Sequence, residues 1–371
     1  MPFRFEIMRT FAVSLFFLTS VGTVAAQTPD WVALLQKPFE NRGIPDPKLP
    51  PLLQKADGQP VRTVEEWQVI HAGLRDAWLA RLGAPPEKPA ALDMLLESTE
   101  MLEGYERRLI RIRTEGDDLL RAYVLIPKGL KPGERVPAVV VFHPTTRDTL
   151  LEPVGLGSRK EMALAVHLTR RGYITLSPEC YILKDPKGWA KGQADALAKR
   201  RPRWTGMGKM TFDASRCFDF LETLPNVDPT RIACIGHSLG AKEVLYAMAF
   251  EPRYRAGVFC EGGIGLRMSN WTDPWYLTSA MVPFIPKLEH HQLLGLIAPR
   301  PFLIIGGDSA DGDASWPFVA AARPVYRLHD AGDRIGLWNH RQKHSFPKES
   351  QELAYRWLDH WLMPKSNAPR R

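Results

Sequence analysis

The stretch Arg231-Ile232-Ala233-Cys234-Ile235-Gly236-His237-Ser238-Leu239-Gly240-Ala241-Lys242-Glu243 decides the fold. It opens with a short apolar run, 231–235, that reads as a buried strand. Gly-x-Ser-x-Gly follows, and a helical pattern then runs over 242–250. Small residues on both sides of the serine let the backbone turn sharply from strand to helix. Such a turn lifts the Ser238 hydroxyl above the C-terminal edge of a sheet. The start of the helix adds free N–H groups and the positive end of its dipole. An ordinary glycine-rich turn can carry the same five letters. The strand before and the helix after give the motif its weight.

Outward from this stretch, strands and helices alternate. Residues 138–143 form an almost wholly apolar run, of the kind that is covered on both faces in a parallel sheet. Further strands are expected at 173–176, 256–260 and 301–305, and helices at 159–171, 211–224 and 348–362. Ahead of them, 106–113 and 120–126 read as a hairpin across the turn at 115–118. Residues 28–62 are proline-rich and irregular. Thr63-Val64-Glu65-Glu66 is a capping box that opens a helix reaching Leu82. Its apolar face is Trp67, Ile70, Leu74, Trp78 and Leu82. Residues 180–209 form a polar, basic insertion without a clear period. The fold class is α/β: a mostly parallel sheet flanked by helices, with an N-terminal helical wrap and an antiparallel hairpin. The expected organisation is an extension at 27–104, a catalytic domain at 105–363 and a disordered tail at 364–371. No internal repeat is visible.

The 371 residues are 44% hydrophobic and 24% charged, which excludes a disordered chain, a collagen-like fibre and a polytopic membrane protein. There are 32 prolines, well above the ordinary share of about 5%, so stiff loops are expected. Forty-nine Lys and Arg against 41 Asp and Glu leave a formal charge of +8. That is a mild excess on a long chain and does not argue for nucleic acid. At the N-terminus Arg4 and Arg9 precede an apolar run, 11–18, that continues to Val24-Ala25-Ala26. This is the pattern of a secretory signal at 1–26, cleaved before Gln27. The run is short for a membrane span, so no stable membrane anchor is expected. Export permits disulfides. None of Cys180, Cys217, Cys234 and Cys260 has metal-site spacing. Cys234 and Cys260 read as small core residues, and Cys180–Cys217 is a candidate bridge. The sequence assigns no oligomeric state.

A serine hydroxyl is a weak nucleophile until a base takes its proton. With Ser238 as nucleophile, the expected chain order is serine, acid, histidine. The strand at 301–305 ends in Gly306-Gly307-Asp308, which places a carboxylate at a sheet edge, and Asp308 is the leading candidate acid. Asp311 and Asp313 in the same loop are alternatives, and Glu261, just past Cys260, is another. For each of them turn capping is the competing reading. The base is expected just before the last helix: His344, with His340 as the alternative. His329 and His360 read as surface histidines. Oxyanion donors are expected from the backbone N–H of Leu239 and from that of Thr145, because Pro144 has none. His143 reads as a loop-structuring residue. Trp271, Trp275 and Trp316 are candidate substrate-binding walls, each with loop packing as the alternative. Lys242, one helical turn past Ser238, either meets a substrate polar group or pairs with a carboxylate. The run Lys199-Arg200-Arg201-Pro202-Arg203-Trp204 is either a solvated face or a rim for an acidic sugar or polymer.

Over 136–362 the chain resembles the α/β-hydrolase superfamily, and within it the secreted dienelactone-hydrolase-like and acetyl-xylan-esterase-like bacterial serine hydrolases. The residues carrying the likeness are the 236–243 stretch, Glu261-Gly262-Gly263-Ile264-Gly265, 269–276, Ile297-Ala298-Pro299-Arg300-Pro301 and His344-Ser345-Phe346-Pro347. The resemblance implies hydrolysis of small-molecule or carbohydrate carboxylic esters through an acyl-enzyme, with no cofactor and no metal. Glu261 in its glycine-rich stretch joins the candidate substrate-binding residues. The chain is also similar to glucuronoyl esterases through 291–301 and through a lysine four residues past the nucleophile, Lys242. That family commonly places Arg after the serine, where this chain has Leu239. Dienelactone hydrolases proper use a cysteine where this chain has Ser238. A serine peptidase on the same fold and a non-catalytic binding protein are the rival readings. The roughly 110 residues ahead of the catalytic region are too few for the β-propeller such peptidases carry.

Overall fold

The computed structural model describes residues 30–37, 46–185, 189–285 and 287–363. The export signal expected at 1–26 and the tail expected at 364–371 lie outside the described residues. The strands are β1 (Leu95–Leu102), β2 (Tyr105–Arg113), β3 (Leu119–Pro127), β4 (Val136–Phe142), β5 (Ile174–Pro178), β6 (Val227–His237), β7 (Gly257–Cys260), β8 (Phe302–Gly306) and β9 (Ile335–Asn339). The helices are α1 (Asp30–Leu34), α2 (Val64–Leu82), α3 (Leu164–Arg170), α4 (Lys191–Arg200), α5 (Gly206–Thr223), α6 (Leu239–Phe250), α7 (His291–Ile297), α8 (Trp316–Leu328) and α9 (Lys348–Leu362).

All strands join one sheet in the order β1-β2-β3-β5-β4-β6-β7-β8-β9. The first three contacts, β1–β2, β2–β3 and β3–β5, are antiparallel, and every contact from β5 to β9 is parallel. The strand period of two divides the core into two layers. Ala138, Val140 and Phe142 of β4 face the layer that contains Trp67, Phe218, Val244 and Phe318. Val139 and Val141 face the layer that contains Leu164, Trp357 and Leu358. Helices α2, α5, α6, α7 and α8 therefore cover one face, and α1, α3 and α9 the other.

The hairpin and the capped helix are where the residue pattern places them. Thr63 Oγ1 accepts the Glu66 N–H at 3.2 Å, and Trp67 and Trp78 are fully buried. The Trp78 indole N–H donates to Gln292 Oε1 at 3.0 Å, which ties α2 to α7. Six elements were not anticipated, and α1 lies in the stretch read as irregular. β1 lies in the expected extension yet adds an edge strand to the sheet, and nearly all of it is exposed. The others are β9, α4, α7 and α8. The insertion expected to be aperiodic contains α4 and the first turn of α5.

All four cysteines are buried and free, so the candidate Cys180–Cys217 bridge does not form. Cys180 and Cys217 are both buried. Among the described residues no helix is long and apolar enough to cross a membrane.

Candidate active site

Ser238 sits between β6 and α6 with φ 57° and ψ −114°, a strained conformation for a residue with a side chain. Close packing of its neighbours enforces the turn. A Cβ on Gly236 would strike the backbone of Gly240, and one on Gly240 would strike that of Phe142. The Ser238 N–H donates to Cys260 O at 2.8 Å, which anchors the turn to the neighbouring strand. Glu261 at the end of β7 and Asp308 past β8 share the same φ of 57°. Three adjacent strand ends thus each present a residue held at positive φ, a clustering typical of working sites.

His344 follows β9. Its Nε2 lies 3.0 Å from Ser238 Oγ, within hydrogen-bond reach. Its Nδ1 lies 3.5 Å from Glu261 Oε2. The carboxylate facing the imidazole is therefore Glu261, and Asp308 is directed elsewhere. Asp308 Oδ1 accepts from Asn339 Nδ2 at 2.6 Å, and its Oδ2 lies 3.7 Å from the Arg341 guanidinium. Asp313 shares both partners, accepting from Asn339 Nδ2 at 2.8 Å and from Arg341 Nη2 at 2.9 Å. These two aspartates brace the loop between β9 and α9. Neither faces the imidazole.

Asp311 is buried and locks two loops together. It accepts the N–H groups of Gly263 at 2.6 Å and Ile264 at 2.8 Å, and the Ser315 hydroxyl at 2.8 Å. In return the Ala310 and Asp311 N–H groups donate to Glu261 Oε2 at 2.9 and 3.2 Å. Burial pushes the Asp311 carboxyl up to about 6, against the pull of those donors. Glu261 is 1% exposed, which suits it to orienting His344 and removes it from the expected substrate-binding set. The fallback base, His340, accepts the Gln342 N–H at Nδ1 and contacts Ser345 O through Nε2, so its ring is committed to the loop.

A contact inside the motif itself has no signal in the residue pattern. His237 is 3% exposed, and neither ring nitrogen has a hydrogen-bond partner among the described residues. Its ring lies 5.0 Å from that of His344 and 6.1 Å from that of Phe346. Burial first, and then the neighbouring His344, pulls His237 down to about 3, so it stays neutral at working pH. A neutral ring here supports His344 without opposing its positive charge. His237→Ala is expected to lower kcat by about 100-fold through misplacement of His344, with KM little changed. His237→Phe should restore most of the rate. Equal losses in the two variants would show that ring packing is not what matters.

Among the described residues Lys242 pairs with no carboxylate. It is 4% exposed and donates to Gly262 O and Ser269 Oγ, both at 2.7 Å. Its ammonium lies 4.1 Å from the centre of the Trp271 ring and 5.2 Å from that of Tyr276. Burial pulls it down to about 7, and Asp311 and Asp273 oppose that shift. Trp271 is fully buried, with its indole N–H on Gly263 O at 2.6 Å, so it is core packing and not an open wall. Trp275 and Trp316 are half-buried. The Leu239 N–H heads α6, where helix geometry leaves it without an intrahelical acceptor. Thr145 is exposed in the loop after β4. His143 holds that loop, donating from Nδ1 to Pro144 O at 2.8 Å and accepting the Cys180 N–H at 3.1 Å. Burial lowers it to about 4. It is a structuring residue.

Comparison with known proteins agrees with this geometry. Residues 120–270 match the Dienelactone hydrolase family. A 4-O-methyl-glucuronoyl methylesterase 1 from Sodiomyces alcalophilus is 30% identical over 35% of this chain and 33% of its own length. The chain thus spans only about a third of that relative. A 4-O-methyl-glucuronoyl methylesterase from Phanerochaete carnosa is 24% identical, over 98% of this chain and 92% of its own length. A glucuronoyl esterase from Solibacter usitatus superposes with a TM-score of 0.69 at 17% identity, covering 85% of this chain and 98% of that one, a likeness of fold. The chain has the α/β-hydrolase fold.

Proposed function

We propose that the chain is a serine carboxylester hydrolase in which Ser238, His344 and Glu261 act as nucleophile, base and acid. The observation that carries this reading is the unbroken line from Ser238 Oγ through His344 to Glu261 Oε2, at 3.0 and 3.5 Å. Ser238 Oγ attacks the ester carbonyl carbon as His344 Nε2 takes its proton. The oxygen of the tetrahedral intermediate is held by the N–H groups of Leu239 and Thr145. His344 then protonates the departing alcohol, leaving an acyl-serine. Water attacks that acyl group by the same route, and Ser238 recovers its proton. Glu261 keeps one imidazole tautomer in place and stabilises the imidazolium.

The substrate we assign is an alkyl ester of a uronic acid carried on carbohydrate, the chemistry named for the two curated relatives. Lys242, buried on the nucleophile's helix and bound to Gly262 O and Ser269 Oγ, holds the 262–269 loop beside the site. Acylated carbohydrates and small aromatic esters are the second reading. Residues 1–26 carry the charge and apolar pattern of an export signal, which fits action on a polymer outside the cell. A panel of methyl glucuronate, acetylated xylan, feruloyl ester and peptide substrates tests the assignment. The uronate ester should give the highest kcat/KM, and a higher value for acetylated xylan would move the substrate to the second reading.

A further inference from the structure

The basic run at 199–204 does not act as one patch. Arg200 and Arg201 turn to Glu115, at 3.0 and 3.5 Å, beside the buried Lys209–Asp118–Asp213 cluster. Arg203 points the other way, into a cleft of about 290 Å3 bounded by the end of α2, by α4 and by the 274–281 segment. Arg81 lines the same cleft, its guanidinium 4.1 Å from the centre of the Phe284 ring. Neither arginine has an ion pair or side-chain hydrogen bond among the described residues. Among the described residues no carboxylate lines the cleft, and its walls include Leu197, Pro202, Trp204, Pro274 and Leu277.

Two unpaired guanidiniums over an apolar floor form a site with a definite preference. Guanidinium groups match carboxylate geometry, and the exposed surfaces of Pro202 and Pro274 match the apolar face of a sugar ring. The stack on Phe284 holds Arg81 in place and lowers the ordering cost of binding. The 269–281 segment links the cleft to the helix that carries Ser238. The segment whose Pro274 and Leu277 wall it carries at its start Ser269, which accepts from Lys242. Tyr181 fastens that segment by donating to Trp275 O at 3.1 Å.

We propose that this cleft is an accessory subsite for a free uronate residue of the same polysaccharide chain whose esterified uronate lies at Ser238. The proposal rests on the uronate-ester reading and extends it to polymeric substrate. A partially methyl-esterified oligo-uronide offers both groups on one molecule, and a monosaccharide uronate methyl ester offers only the reacting one. In Arg81→Gln/Arg203→Gln the kcat/KM for the oligo-uronide should fall about tenfold, through KM, while the monosaccharide ester changes less than twofold. Raising salt should erase the difference between wild type and variant on the oligo-uronide. The exposed charge reversal Arg203→Glu should show the same split if the double variant folds poorly. An unchanged oligo-uronide KM, or equal losses on both substrates, would overturn the proposal. Calorimetric titration of Ser238→Ala with a fully de-esterified oligo-uronide separates this proposal from the ester reading. Binding that weakens in the arginine variants supports the subsite even if no uronate ester is turned over, and no binding removes it.

Discussion

Ser238→Ala is expected to lower the hydrolysis of p-nitrophenyl acetate by about 10⁴- to 10⁶-fold, the scale on which serine hydrolases lose their nucleophile. Ser238 Oγ is the hydroxyl within hydrogen-bond reach of His344. His143, a second histidine near the site, has both ring nitrogens committed to Pro144 and Cys180. The buried cysteines offer no substitute, because burial pushes all four thiols up and suppresses the thiolate. Stability should stay within about 1 kcal/mol of wild type, since alanine is smaller and meets the same positive-φ strain as serine. Rates near wild type in a folded variant would mean that another group attacks the ester.

Glu261→Gln is expected to lower kcat by about 10⁴-fold, the scale seen when an orienting carboxylate is neutralised. Glutamine keeps the volume and an acceptor for the Ala310 and Asp311 N–H groups, so the loops should remain clasped. What it removes is the negative charge 3.5 Å from His344 Nδ1 and the preference for one tautomer. Asp308→Asn leaves that charge in place and disturbs only the bonds to Asn339 and Arg341, so its effect on kcat should stay below about tenfold. Steady-state kinetics of the two variants, each checked for its thermal midpoint, compare them directly. The reverse order would assign the acid to the end of β8.

The pairing of Ser238 with His344 was legible in the residues because each position depends on local pattern. A serine between two glycines after an apolar strand can only be a tight turn, and a polar histidine loop before the last helix has few places to go. The carboxylate that faces His344 was harder to read, because it depends on which of two neighbouring strand ends the β9–α9 loop passes over. Both ends carry a carboxylate beside glycine: Glu261 with Gly262-Gly263, and Asp308 after Gly306-Gly307. What separates them is the pairing of Asp308 with Asn339 and Arg341, more than thirty residues away in sequence. β1 escaped notice because an exposed edge strand needs no apolar alternation. β9 is only five residues long and contains Gly336. Trp271 gave no sign that its ring would be enclosed by Lys242, Tyr246 and His290. His237 lay in plain view in the motif, but its role depends on the ring it packs against.

Titration with a p-nitrophenyl alkylphosphonate tests the central claim most directly, because it reads attack by Ser238 without reference to the natural ester. One equivalent of p-nitrophenol should be released per chain, with the phosphonyl mass on the peptide containing Ser238. Ser238→Ala should take up none, and Glu261→Gln should react far more slowly than Asp308→Asn. A folded wild-type protein that forms no adduct, or forms it on another residue, would contradict the account.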